Sequence, residues 1–175
     1  MNLKDVLNKD SKYLILTSTL LVFSTIAGIL FFKKNHYYFS SLTDSRFLEL
    51  VCHNGIMLLF IVFISLISLG YLAWVEVVIN GFVFGMGVTL IIQKYGGWAT
   101  ILLLFHSVFE LPAMILSAYL GRAFSVIIYK KIRRKDSSFS AGDISSLRLL
   151  ILVLLVLASG VESIPRAFIL KMIHG

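Results

Sequence analysis

The sequence contains few cysteines, prolines and charged residues. It has one cysteine and two prolines among 175 residues, and only 14% of its residues are charged. The single cysteine, Cys52, excludes an intramolecular disulfide and a cysteine-rich metal motif. With 58% hydrophobic residues and a mean hydropathy of +0.92, the composition is far from that of a soluble domain of this length. The sequence therefore predicts an all-α, polytopic membrane helix bundle.

Positive charge exceeds negative charge, and the net charge is +7. The basic residues gather at the ends of apolar runs: Lys9 and Lys12 precede the first run, and Lys33 follows it. Nucleic-acid binding would need a basic stripe with exposed aromatics, so we expect no nucleic-acid partner. The arrangement indicates topology signals and contacts with anionic membrane lipids. Since no small-residue cleavage site follows the first run, we predict an uncleaved span there.

Apolar runs of about 20 residues, the length that crosses a hydrocarbon core, divide the chain. We predict a single membrane domain, residues 1–175, with five transmembrane helices at about 13–32, 50–71, 77–93, 98–129 and 147–164. Gly81 and Gly85 form a small-xxx-small pair, which predicts close helix contact. The fourth segment has 32 residues, about 48 Å as a helix, whereas a hydrocarbon core is ~30 Å thick. Because proline blocks regular helix, we predict a kink or a half re-entrant break at Pro112.

Five positive charges in six residues, Lys130–Lys135, follow the fourth segment. Such a cluster stays on the cytoplasmic side of a membrane, so residues 130–146 are predicted to be a cytosolic basic loop. If the amino terminus is also cytoplasmic, an even number of crossings must lie between the two. Counting residues 98–129 as one crossing gives four. The carboxyl terminus is then external.

The stretch from Phe105 to Pro112 places ionisable residues inside apolar sequence. An ionisable side chain at membrane depth costs several kcal/mol unless it is paired, hydrated or turned inward, so such residues are functional candidates. His106 and Glu110 are four residues apart and share a helix face. Further polar residues at membrane depth lie on the other predicted spans: His53, Asn54, Glu76, Asn80, Glu162 and Arg166. These side chains can converge only in the interior of the bundle.

Acid–base chemistry is one use of this set. A histidine can act as a general base near neutral pH, and a glutamate can orient it or act as the acid. The predicted catalytic candidates are His106, Glu110, Glu162 and Arg166. The predicted supporting polar residues are His53, Asn54, Glu76 and Asn80. The sequence contains no G-x-S-x-G motif and no phosphate-binding loop, so we do not expect the chain itself to be an ATPase.

Structural roles explain the same residues in other ways. His53 and Asn54 can cap a helix or bond across helices, and Glu162 and Arg166 can form a local ion pair. No cofactor is expected. Two histidines with one or two glutamates could instead hold Zn²⁺, although an H-E-x-x-H motif is absent from the sequence.

Four motifs in order resemble those of the stage II sporulation protein M family of integral membrane proteins. They are His53-Asn54, Asn80-Gly-Phe-Val-Phe-Gly85, His106-x-x-x-Glu110-x-Pro112-Ala with Gly121 after it, and Glu162-x-x-Pro165. The resemblance covers residues 49–165. One departure is that Leu104-Phe105 stands where the family usually has a proline before the histidine. The resemblance implies a multi-pass protein of the bacterial cell membrane.

The length of the chain is similar to that of a small branch of the family, whose members are encoded with circular bacteriocins. This resemblance, and not composition or spacing, implies a hydrophobic precursor peptide as partner. It implies maturation of that peptide by leader removal, head-to-tail joining or export, and an intramembrane peptidase or peptide cyclase if the His/Glu site is catalytic. The alternative is a non-enzymatic scaffold for peptidoglycan hydrolases, or a membrane subunit beside a transporter ATPase. An oligomer is compatible with both of these functions.

Overall fold

The computed structural model describes residues 10–33, 47–134 and 139–174, with side chains except at 94–95, 98–99, 102–103 and 165–174. Within those ranges the chain is helical apart from short turns and contains no strand. The helices are α1 (Ser11–Lys33), α2 (Phe47–Ile67), α3 (Tyr71–Leu104), α4 (Ser107–Ile132) and α5 (Ala141–His174). Each contains a stretch long and apolar enough to cross a membrane. The predicted all-α polytopic bundle is therefore confirmed.

Helix α4 forms the centre of the bundle between α2 and α5. In its most apolar stretch 56% of the residues are buried, compared with 22% in α1 and in α3. Its backbone approaches α2 closely, because a Cβ on Gly121 would lie 2.3 Å from the carbonyl oxygen of Val62. Ser65 of α2 also donates a hydrogen bond to the carbonyl oxygen of Ala118, at 2.6 Å. The middle of α4 is thus packed closely against α2.

The turn between α2 and α3 lies earlier than the boundary predicted near residues 71–77. Ser68, Leu69 and Gly70 make the turn, and α3 begins at Tyr71. Gly70 has a φ of 91°, a left-handed conformation that glycine adopts without a Cβ penalty. The Ser68 hydroxyl accepts a hydrogen bond from the backbone N–H of Leu72 at 3.0 Å. The residues around this turn are apolar, so the sequence pattern does not indicate where the turn lies.

The predicted connection between the third and fourth spans, residues 94–97, contains an interruption at Gly96, whereas the helix is not broken at Pro112. Gly96 interrupts α3 with a φ of 78° and a ψ of 175°, a backbone conformation that is essentially restricted to glycine. A second interruption lies at Phe105–His106, and α4 then runs through Pro112 as one helix. The fourth helix therefore covers Ser107–Ile132 and not 98–129.

The predicted basic loop, residues 130–146, is shorter in the structure. Helix α4 continues to Ile132, and α5 begins at Ala141, so helix takes up both ends of the predicted loop. Ser140 precedes α5 and shares two hydrogen bonds with Asp143. Such a reciprocal cap fixes the start of a helix.

Arg122 joins three parts of the chain at one end of the bundle. Its Nε lies 2.5 Å from Oδ2 of Asp10, before α1, and its Nη1 donates to the carbonyl oxygen of Leu69 at 2.8 Å. Glu110 lies twelve residues earlier on α4, about 18 Å along the helix axis at 1.5 Å per residue. The hydrocarbon core is ~30 Å thick, so Glu110 lies beyond its midplane if Arg122 marks one boundary.

Candidate functional site

The side chains of His106 and Glu110 contact each other at the start of α4. Nε2 of His106 lies 3.3 Å from Oε2 of Glu110, and their side chains are 14% and 23% exposed. The backbone N–H of Glu110 donates to the carbonyl oxygen of His106 at 3.1 Å, which gives the spacing of one helical turn. The predicted sharing of one helix face is confirmed.

Three helices contribute side chains to a cavity of about 490 Å³ at this end of the bundle. We call it the polar cavity, and its lining is Glu49, Leu50, His53, Asn54, His106, Glu110 and Glu162. The residues come from α2, from α5 and from the first turn of α4 with the residue before it. Five of the side chains singled out from the sequence therefore converge: His53, Asn54, His106, Glu110 and Glu162.

The polar cavity contains two polar side chains that are more than nine-tenths buried. Glu162 is 7% exposed and Asn54 is 6% exposed. Among the described residues, Nδ2 of Asn54 has no hydrogen-bond partner. Leaving a buried donor unsatisfied costs about 1–3 kcal/mol. Asn54 is therefore placed to donate to a group that enters the cavity.

Acidic groups dominate the described lining. Three carboxyl groups and two imidazoles face the cavity, and the lining side chains that the structure describes include no lysine or arginine. Carboxylate groups accept hydrogen bonds, and imidazole groups can donate or accept them. Nε2 of His106 and Oε2 of Glu110 are 3.3 Å apart, which is close enough for proton transfer between the two side chains.

The remaining predicted residues lie elsewhere. Glu76 and Asn80 lie on α3 and do not line the polar cavity. Nδ2 of Asn80 donates to the carbonyl oxygen of Glu76 at 2.8 Å. The side chain of Arg166 lies outside the described residues. Sequence reasoning missed Glu49 as a lining residue, although its spacing of four from His53 on a helix could have indicated it.

The zinc alternative has no assembled ligand set in the described ranges. No three His, Cys, Asp or Glu side chains there come close enough together to hold a metal ion. Tetrahedral zinc sites need three or four such ligands within about 2.0–2.3 Å of the metal.

The fold and the site together show the class of this protein: it is a multi-pass α-helical membrane protein, and residues from three of its helices line a polar cavity. The family model described as Stage II sporulation protein M matches residues 17–164. The chain belongs to the stage II sporulation protein M family, which confirms the resemblance found in the motifs. Comparison with curated proteins and with solved structures found no match.

Proposed function

We propose that this protein matures a hydrophobic peptide of the circular bacteriocin class, by leader removal, head-to-tail joining or export. The observation that carries the proposal is the His106–Glu110 pair, which faces a cavity together with the buried Glu162. An acid–base pair in a partly enclosed space at membrane depth suits chemistry on a peptide bond of an apolar substrate. The proposal includes no metal or organic cofactor.

Leader removal is the step that the cavity residues can perform with water alone. Water attacks the carbonyl carbon of the scissile bond, and its proton passes to the His106–Glu110 pair. The C–N bond then breaks, and the pair returns the proton to the leaving amine. One water is consumed, and a carboxyl group and an amine are produced. General acid–base catalysis of this kind typically contributes 10²–10⁴-fold to a rate.

The test is conversion of a precursor peptide by the protein purified in detergent. Glu110→Gln keeps the size of the side chain but removes the acid–base group, so we expect conversion to fall by at least about a hundredfold. Glu76→Gln is the matched control, because Glu76 lies on α3 outside the polar cavity. Both variants should show the melting behaviour of the unsubstituted protein. Unchanged conversion with Glu110→Gln would contradict the catalytic proposal.

A scaffold for peptidoglycan hydrolases, or a membrane subunit beside a transporter ATPase, is the second candidate. The observation that favours it is the length of α4, which continues ten residues past Arg122, about 15 Å at 1.5 Å per residue. Lys131, Arg133 and Arg134 are exposed at this end and offer a basic docking surface. A scaffold should co-purify with stoichiometric partners and should retain its function with Glu110→Gln.

A further inference from the structure

A groove on the surface of the bundle lies between α2, α4 and α5. It has a volume of about 330 Å³, and its lining comes from within residues 55–62, 117–124 and 148–155. We call it the apolar groove, because most of these lining residues are hydrophobic. Leu59 and Leu152 of the lining are exposed, and all three helices contain candidate membrane spans. The apolar groove is therefore open to the lipid of the membrane.

The two ends of the apolar groove differ in character. At one end α2 and α5 approach each other, because a Cβ on Gly55 would lie 3.5 Å from Cδ2 of Leu155. At the other end the lining includes Arg148, which precedes Leu155 on α5 by seven residues, about 10 Å at 1.5 Å per residue. The apolar groove thus has an apolar end, where two helices meet, and a positively charged end.

Helix α5 runs antiparallel to α2 along the apolar groove. Glu162 lines the polar cavity together with residues from the first turns of α2, and Leu155 lies beside Gly55, further along α2. The chain from Leu155 back to Arg148 therefore follows α2 toward its carboxyl end. The turn after α2 lies at that end, and Arg122 donates a hydrogen bond to a carbonyl oxygen of this turn. The charged end of the groove is thus the end nearer to Arg122 and to one face of the membrane.

We propose that the apolar groove binds an anionic phospholipid, with one acyl chain along the groove and the phosphate group at Arg148. The inference does not depend on the proposed maturation of a peptide. The side chain of Arg148 is exposed within the candidate span Ala141–Ile164. A charged side chain at membrane depth is costly unless it is paired or reaches the headgroups. The aliphatic part of an arginine side chain lets the guanidinium group extend toward the headgroups, where it forms charge-assisted, bidentate hydrogen bonds with phosphate.

The size of the apolar groove favours a lipid chain over a helix of a partner protein. A helix with its side chains is about 10–12 Å in diameter, so about 10 Å of its length occupies roughly 800–1,100 Å³. This is more than the groove can enclose, since its volume is about 330 Å³. An acyl chain is unbranched and only one carbon atom wide. Because the groove is open along its side, the second chain of the same lipid can remain in the bilayer.

The experiment measures lipid binding to the full chain, purified in a mild detergent, by native mass spectrometry. The probes are phosphatidylglycerol and phosphatidylcholine with identical acyl chains, which differ in net charge. We expect one phosphatidylglycerol to bind at least about tenfold more tightly, because only this lipid has a net negative charge for Arg148 to neutralise. Equal affinity for the two lipids would overturn the inference. Displacement of the bound lipid by glycerol 3-phosphate, which has no acyl chains, would also overturn it by showing a site for free phosphate.

Arg148→Gln tests the charged end of the apolar groove. This substitution removes the positive charge, so we expect the affinity for phosphatidylglycerol to fall roughly tenfold, to that for phosphatidylcholine. Arg134→Gln is the matched control, because Arg134 is also exposed but does not line the groove. An equal loss in the two variants would show only a general attraction of basic residues for anionic lipid, which contradicts a defined site.

Gly55→Leu tests the apolar end of the groove. A leucine side chain there takes up space that the acyl chain would occupy, so we expect loss of the tight phosphatidylglycerol complex. Gly87→Leu is the matched control, because a Cβ on Gly87 of α3 meets nothing within 4 Å. Melting curves verify that the variants are folded. Tight binding by a folded Gly55→Leu variant would contradict the placement of the chain, and Arg148→Gln decides the inference if Gly55→Leu does not fold.

Discussion

Ser140 and Asp143 illustrate how single residues fix the helix positions on which the site depends. Oδ2 of Asp143 accepts from the backbone N–H of Ser140 at 2.6 Å, and the Ser140 hydroxyl accepts from the backbone N–H of Asp143 at 3.2 Å. This capping box satisfies two backbone donors that the first turn of a helix leaves without partners. It also sets where α5 begins, and thus the position along the bundle of Glu162.

Ser140→Ala should lower the free energy of unfolding by about 1 kcal/mol, because it removes one of these two bonds. The measurement is reversible unfolding in detergent micelles. Ser145→Ala is the matched control, since Ser145 is exposed in the same part of α5. A loss of equal size in both variants would show that the cap does not stabilise the helix.

The candidate site shows which residue properties the sequence reveals. His106 and Glu110 were predicted to share a face because their spacing alone determines it, and the structure places them 3.3 Å apart. Asn80 was grouped with them on its polarity, yet it bonds to its own helix. The polarity of a residue indicates that its side chain needs a hydrogen-bond partner, whereas the identity of that partner depends on how the helices pack.

At the scale of elements, α1 and α3 form a closely packed pair. A Cβ on Gly85 would lie 2.1 Å from the carbonyl oxygen of Thr25, and a Cβ on Gly28 would lie 2.2 Å from that of Phe82. Contacts this short involve backbone atoms, so a side chain cannot be accommodated without moving a helix. Small residues at such interfaces let helix backbones approach in a membrane, as the Gly81–Gly85 pair predicted.

Gly85→Ala should therefore destabilise the protein by about 1–3 kcal/mol, the range typical of overpacking. Gly87→Ala, two residues further along α3, should have no such cost, because a Cβ there meets nothing within 4 Å. Denaturant unfolding of the purified variants in detergent compares the two. Equal stability of the two variants would contradict close packing of α1 on α3.

The helix boundaries show the limit of pattern reasoning at this scale. The five apolar runs predicted the number of membrane helices, because a minimum length of apolar chain is needed to cross a bilayer. The interruption at Gly96 lies in the predicted connection between the third and fourth spans, whereas the interruption at Phe105–His106 lies in apolar sequence that also suits helix. The break was predicted at Pro112 because proline blocks regular helix, but Pro112 is the sixth residue of α4 and the helix continues through it.

At the scale of the whole molecule, we predict that all five candidate spans cross the membrane, which would place the two termini on opposite faces. We predict that the amino terminus and the basic end of α4 are cytoplasmic, because positive charge is retained on that side. The polar cavity would then lie toward the external face.

Cysteine labelling tests this orientation. In a Cys52→Ser background, Gly97→Cys should react with a membrane-impermeant maleimide in intact cells, whereas Lys131→Cys should react only after permeabilisation. Both positions are exposed, and removal of the exposed Cys52 prevents background labelling. The reverse pattern would show that the protein is inserted the other way round.

Local features of the chain were enough to assign the class of protein and to select the candidate site residues. Composition and the length of the apolar runs indicated a membrane helix bundle. The motifs indicated a resemblance to the stage II sporulation protein M family, which the family match over residues 17–164 confirms. Only the tertiary structure decided which candidates meet. Asn54, Glu110 and Glu162 lie on different helices, and their convergence in the polar cavity depends on the packing of α2, α4 and α5. That packing follows from long-range contacts such as that of Gly121 on Val62, which no local pattern encodes.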